Sequence, residues 1–321
     1  MSDNKILTII DKKPLISPLT NHYIQVATSD NTRRAYQSDI RHFENWGGKL
    51  PANVEMIITY LHTFADKLNS RTLSRRLTAI KNWHVYQCFI DPTQHPAVSK
   101  TLAGITRTHG KPKEKAQPLL PEQLLQIIKF LNNENTLLAK RDNALLQLGF
   151  CGAFRRSELV NINIEHIQWL DKGIEILIPY SKTDQMHEGQ FCAIPFGNGD
   201  ICPVSALKNW LELSNISTGP IFRKMIKNKV HPIALSPLSV NHILKKRIEQ
   251  AGIPQMHLFS SHSLRRGLAT SASRDGASLP AIMRQGRWKN VNTVMEYIEA
   301  AARFEENAVN LILNKMQLEK D

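Results

Sequence analysis

The chain lacks the marks of several function classes. No stretch approaches the ~18 consecutive apolar residues of a membrane-spanning helix. The early apolar run Ile6–Ile10 is short and leads into Asp11-Lys12-Lys13 with no small-residue cleavage site, so no signal peptide is read. Cysteine is scarce. Cys88, Cys151, Cys192 and Cys202 lie far apart with no Cys-x-x-Cys spacing. That pattern argues against zinc ligands and disulfides and for reduced thiols in a cytoplasmic protein. No glycine-rich phosphate loop and no metal-ligand cluster is visible, so nucleotide-driven and metal-driven chemistry are not expected. Acidic residues are also few: 28 Asp and Glu stand against 41 Lys and Arg, leaving a net charge of +13. Such an excess favours a polyanionic partner, most often nucleic acid.

What is present suggests two domains in 321 residues. Residues 1–20 lack periodicity and read as a flexible arm. Residues 21–108 read as a compact helical unit. Ser29-Asp30-Asn31 offers a cap, and Tyr36, Ile40, Phe43 and Trp46 recur at helical spacing before Gly47-Gly48. A second helix is expected over Val54–Ala65, with Ile57, Ile58, Leu61 and Phe64 inward. A third runs from Arg71 towards Gln87, capped by Ser70, with Leu73, Leu77, Ile80 and Trp83 as its stripe; a shorter one covers Val98–Ile105. Residues 109–118, with Lys111, Lys113 and Lys115 among Gly and Pro, read as a basic linker. Its lysines could be merely solubilising or could neutralise phosphates.

Residues 119–321 resume with helices through Leu124–Leu131 and Ala139–Phe150. One β region follows: Ile174–Pro179 and Phe191–Pro195 flank a polar turn, giving a hairpin with Lys182 near its tip. Further helices are expected near Pro203–Leu213, Ser239–Ala251, His262–Ser273, Leu279–Gln285 and Val291–Ala300. The fold class is therefore mainly α: a helical N-terminal domain, then a mostly helical mixed α/β domain with a small antiparallel sheet.

The chemistry lies in residues spread over this second domain. Arg155, Lys182, His262, Arg265 and Trp288 can surround a phosphodiester with positive charge and N–H donors, and Tyr297 can attack the phosphorus. His262-x-x-Arg265 puts two polar side chains on one helical face, just after the capping pair Ser260-Ser261. A helix N-terminus favours an anion. Planar guanidinium groups suit bidentate phosphate contact, and Glu158, three residues after Arg155, can orient one. Each piece alone is weak: His-x-x-Arg is usually a surface turn, and a Tyr or Trp is usually core.

Taken in order, the pattern Arg155-x-Ser-Glu158, Lys182 in a hairpin, His262-x-x-Arg265, Gly-x-Trp288 and Tyr297 resembles the tyrosine recombinase (phage integrase) family. The stretch from Leu279 to Ile298 is similar to the nucleophile region of its Cre-like members. The resemblance spans roughly residues 30 to 315. It implies a site-specific recombinase working through a 3′-phosphotyrosine and a Holliday junction. It implies that four copies assemble on two duplex DNA sites with inverted half-sites, with no cofactor and no membrane partner. By the same resemblance Arg155 and Arg265 grip the nonbridging oxygens, Lys182 protonates the leaving oxygen, His262 assists proton transfer and Glu158 supports the site. Trp288 stands where many relatives carry a second histidine. DNA contacts are implied for Arg33, Arg34, Arg71, Arg75, Lys111, Lys113, Arg156 and Lys245. Asn241 is implied as a base reader suited to adenine. The tail stripe Ala308, Leu311, Ile312 and Met316 is implied to dock into a neighbour. Two rivals stand: a resolvase, a telomere-resolving enzyme or an integrase needing accessory proteins, which shared active-site residues do not separate, and a DNA-binding protein without catalysis, against which the intact Tyr297 and its partners argue.

Overall fold

The computed structural model describes residues 27–112, 114–179, 189–302, 307, 309–310, 312–313 and 316. The arm 1–20, Lys113, Lys182, Ala308 and Leu311 lie outside the described residues. The chain divides into two compact units, Met1–Lys113 and Glu114–Asp321. The split falls inside the basic linker read from the sequence.

In the first unit, helix α1 (Asp30–Asn45) starts at Ser29, whose hydroxyl accepts from the Thr32 amide, and leads into Gly47 at φ +108°. Ile40 and Phe43 are buried, while Tyr36 and Trp46 flank the core. Helix α2 (Val54–Thr63) is capped by Asn53 and buries Ile57, Tyr60 and Leu61. Ile58 and Phe64, expected inward, are only partly buried. Helix α3 (Ser70–Tyr86) corrects one expectation: Asn69, not Ser70, is its cap, accepting from the Arg71 amide at 2.9 Å. Leu73, Leu77 and Ile80 face the core as the period requires. At the fourth place in the stripe His84, not Trp83, is fully buried, its Nε2 accepting from the Ala52 amide at 2.9 Å. A buried histidine is acceptable where a backbone N–H meets it. Helix α4 (Pro96–His109) is longer than read because Pro96 occupies its first turn and His95 caps it.

The second unit is built on α6 (Leu137–Cys151), which is buried nearly all round. Helices α5 (Pro121–Glu134) and α8 (Pro203–Ser214) pack against it, and α7 (Arg156–Val160) follows it. Strands β2 (Gly173–Ile178) and β3 (Gln190–Pro195) pair antiparallel with Ile176 opposite Cys192. They form the expected hairpin flanking residues 180–188. Strand β1 (Ile167–Leu170) adds an edge that the sequence reading missed. It is mostly exposed, so its alternation carries no burial signal. A second ribbon, β4 (Arg223–Ile226) and β5 (Lys229–Ala234), was also missed. Its turn residues Lys227 and Asn228 both take positive φ, 48° and 61°. That is the two-residue hairpin geometry, made without the usual Asn-Gly signal.

Helix α9 (Pro237–Gln250) is anchored by Arg247, fully buried, whose Nε donates to Asp142 on α6 at 2.7 Å. Helices α10 (Ser261–Arg274), α11 (Leu279–Gly286) and α12 (Val291–Ala302) complete the unit. Beside the main core, Ala153, Ala269, Ile282, Trp288, Val294 and Tyr297 form a small cluster of their own. The candidate site is built around this cluster.

Candidate active site

Helix α10 carries the histidine of the His-x-x-Arg motif in its first turn and the arginine at the start of its second. Ser260 caps it, accepting from the His262 amide at 3.2 Å, and its own amide donates to Ser263 Oγ at 3.0 Å. His262 is exposed, and Arg265, on the inner side, is 1% exposed. Arg265 donates through Nη1 to the Ala153 carbonyl and lies with Cζ 4.2 Å from the Trp288 ring centre. Its Nη2 is buried and has no hydrogen-bond partner among the described residues. Burial, and then the nearby charge of Arg155, push its pKa down, with Glu158 opposing. Burial thus disfavours the charge on this guanidinium, and an anion beside it would favour that charge.

Arg155 caps the short helix α7. Its amide donates to Glu158 Oε2 at 2.9 Å and its Nη1 to Oε1 at 2.5 Å. Glu158 is almost completely enclosed. This pairing settles which neighbouring arginine turns inward: Arg155 is half-buried, while Arg156 is exposed.

On α12, Tyr297 is 5% exposed and its Oη lies 3.2 Å from His262 Nε2. With Nε2 bare, the phenol donates to it. Burial raises the Tyr297 pKa, while Arg266 and then Arg265 pull it back. Trp288 stands edge-on to the tyrosine ring at 6.1 Å, forming a shared wall for Arg265 and Tyr297.

Two groups were not foreseen. Arg287 ends α11 in the left-handed region, φ 54°, and is buried. Its Nη2 donates to the Gly152 carbonyl at 3.0 Å and, more weakly, to Glu158 at 3.4 Å. Arg266 places its Cζ 5.1 Å from the Tyr297 ring centre. The sequence signalled neither: Arg287 sits at the unspecified place of Gly-x-Trp, and Arg266 follows Arg265 outside any motif.

The arrangement is a cluster of buried and half-buried arginines beside a phenol, with a histidine on the phenol. It is suited to holding a phosphodiester against an oxygen nucleophile. The model of the Phage integrase family matches residues 117–303, and that of its N-terminal SAM-like domain matches residues 20–88. An integrase/recombinase XerD homolog from Selenomonas ruminantium is 38% identical over 316 residues, 95% of this chain and 92% of that protein. This chain belongs to the tyrosine recombinases of the phage integrase family. They are enzymes of site-specific DNA recombination. Recombinase cre of Escherichia phage P1 is 26% identical, over 79% of this chain and 77% of that one. The fold is shared with the Tn1549 transposon integrase solved with circular intermediate DNA, at TM-score 0.61 and 14% identity, covering 90% of this chain and 94% of that one. It is shared too with a lambda integrase dimer bound to a core site, at TM-score 0.60 and 16% identity, covering 89% and 77%.

In this recombinase the residues expected at DNA differ in how free they are. Arg34, Arg71, Lys111 and Arg156 are exposed. Arg33 is paired with Asp30. Arg75 gives Nε and Nη2 to the buried Asp39, each at 2.8 Å. Lys245 is half-buried on α9. Asn241, one turn earlier, accepts the Ser261 amide on Oδ1 at 2.9 Å, so part of its polar surface already serves the start of α10. Among the described residues no helix is long and apolar enough to cross a membrane.

Proposed function

We propose that the recombinase cuts and rejoins duplex DNA through a 3′-phosphotyrosine on Tyr297. The phenol oxygen attacks the phosphorus, the bond from phosphorus to the 5′-oxygen breaks, and the ester keeps the bond energy. His262 takes the phenol proton, while Lys182, in the residues between β2 and β3, gives one to the departing 5′-oxygen. Arg155 and Arg265 hold the nonbridging oxygens and stabilise the charge that builds in the pentavalent transition state. Glu158 holds Arg155 in place, and the Trp288 N–H is available as a further donor. Attack by a 5′-hydroxyl from a partner strand reverses the step, so strands exchange through a Holliday junction. Four protomers on two sites with inverted half-sites perform it, with the tail docking into a neighbour. In that tail Ile312, Leu313 and Met316 are exposed.

The observation that carries this reading is the 3.2 Å approach of His262 to the Tyr297 hydroxyl beside a buried Arg265 whose Nη2 has no hydrogen-bond partner among the described residues. The test uses a duplex selected by the protein from random sequence and nicked beside its cleavage position, which traps the covalent state. The native protein should form an adduct mapping to Tyr297. Tyr297→Phe should form none while binding the duplex within a few-fold. An adduct from the Phe variant, or none from the native protein, refutes the assignment.

A further inference from the structure

Arg266 is a buried cation with no part in the chemistry above. It is 6% exposed, its guanidinium faces the Tyr297 ring, and its Nη1 donates to the Ala116 carbonyl. Its Nε is buried without a hydrogen-bond partner among the described residues. Ala116 belongs to a segment laid along α10. Lys115 Nζ meets Glu296, the residue before the nucleophile, at 2.7 Å. The Gln117 amide donates to the Leu258 carbonyl at 2.9 Å, and the Leu119 amide to the Ser263 carbonyl at 3.0 Å. The fit is close: a Cβ on Gly267 would stand 2.0 Å from the Leu119 oxygen. One strap of chain thus touches the nucleophile helix through Glu296 and the nucleophile ring through Arg266.

We infer that Arg266 is a positioning residue for Tyr297, fastening the nucleophile ring to the strap at residues 115–119, so that nucleophile alignment depends on the seat of the linker. The inference rests on the phosphotyrosine reading above. Two effects follow from the geometry. A guanidinium over a ring face is attractive and, when desolvated, fixes ring position. Its charge also favours the phenolate. The other groups acting on Tyr297 are Arg265 and His262 from α10, Glu296 from its own helix and Lys115 from the strap, and among the charges that lower its pKa Arg266 ranks first.

The experiment follows adduct formation on the nicked duplex from pH 6 to 10 at saturating protein. Arg266→Met should bind DNA within a few-fold of the native protein yet form adduct ~10–100-fold more slowly, the cost of a lost cation–π contact and a misplaced nucleophile. Its rate should also level off at a higher pH. Arg266→Lys should restore the native pH profile and part of the rate. Gly267→Ala, which displaces the strap with Arg266 intact, should slow adduct formation as well. Lys115→Ala, at an exposed pair, should slow it by at most ~5-fold. An Arg266→Met rate within a few-fold of native, or a slower rate with an unmoved pH profile, overturns the inference and leaves Arg266 as packing. Should Arg266→Met fail to fold, Gly267→Ala decides by rate alone: native-like adduct formation with the strap displaced overturns the inference. If the native protein itself forms no adduct, the cleavage reading falls first; if it does and these variants match it, the positioning role alone falls.

Discussion

The Arg265 guanidinium lies 4.2 Å from the centre of the Trp288 ring, and the same ring stands edge-on to Tyr297. Trp288 therefore has two separable properties: a face that supports the arginine, and an N–H that can donate. Trp288→Phe keeps a face and removes the donor, whereas Trp288→Ala removes both. Ring support predicts that Phe retains most adduct formation, while Ala loses ~10²-fold through misplacement. Ala should also lose roughly 3–5 kcal/mol of stability as a large-to-small change at a buried aromatic. Adduct rates and thermal melts of both variants make the check. A Phe variant as slow as Ala, but as stable as native, assigns the role to the N–H.

Arg265 is buried, its Nη2 has no hydrogen-bond partner among the described residues, and burial disfavours its charge. A buried charge costs folding free energy unless it is paired, and an apolar side chain of similar size removes that cost. Against this, Arg265→Met strips the Ala153 carbonyl of a donor, costing about 1 kcal/mol. The DNA-free protein should thus melt no lower with Met than with Arg, while cleavage falls by ~10²–10³-fold. Addition of DNA should raise the melting temperature less for the Met variant, because the contact between this buried charge and the phosphate is gone. A Met variant that melts several degrees lower makes Arg265 structural.

Lys182→Ala should slow cleavage by roughly 10²–10⁴-fold if Lys182 is the acid for the leaving oxygen. A substrate with sulfur at the 5′-bridging position has a leaving group that needs no proton. It should restore most of the rate to the Ala variant and change little for the native protein. No rescue would leave Lys182 as a phosphate contact.

The helical frame was legible because apolar residues recur at the helical period and small polar residues cap the ends. Tyr36, Ile40, Phe43 and Trp46 all meet one core in this way. Tyr297 and His262 were legible through family order, not through anything local. What escaped reading was set by tertiary contact. The β4–β5 ribbon turns through Lys227 and Asn228; asparagine takes a positive φ readily, but the lysine before it does not announce one. Arg287 folds inward because a left-handed cap re-aims it towards Gly152 and Glu158. Arg266 is buried because the strap at Ala116 covers it, a pairing 150 residues apart in sequence. Cations are normally solvated, so composition reads such residues as surface.

Asn241 carries two demands that one substitution can separate. Its Oδ1 accepts the Ser261 amide at the start of α10, and its carboxamide N–H remains available to a base edge. Asn241→Ala removes both and leaves the amide of a buried Ser261 without its acceptor, at a cost of about 1 kcal/mol. Asn241→Asp keeps the acceptor and places negative charge at a helix N-terminus, which is favourable. It has no N–H to give a purine. Stability should therefore fall for Ala and hold for Asp. If Asn241 reads a base, both variants lose about 1–3 kcal/mol of discrimination at one or two base pairs. The salt dependence should barely move for Ala. Lys111→Ala, by contrast, should weaken all sequences alike and lower the salt slope by about 0.9 if that lysine meets a phosphate. Thermal melts, together with binding titrations over several salt concentrations on the selected site and its single-base variants, measure all of this. An Asp variant that binds more weakly but keeps the full order of preference among those variants makes Asn241 a support for the catalytic helix and not a reader.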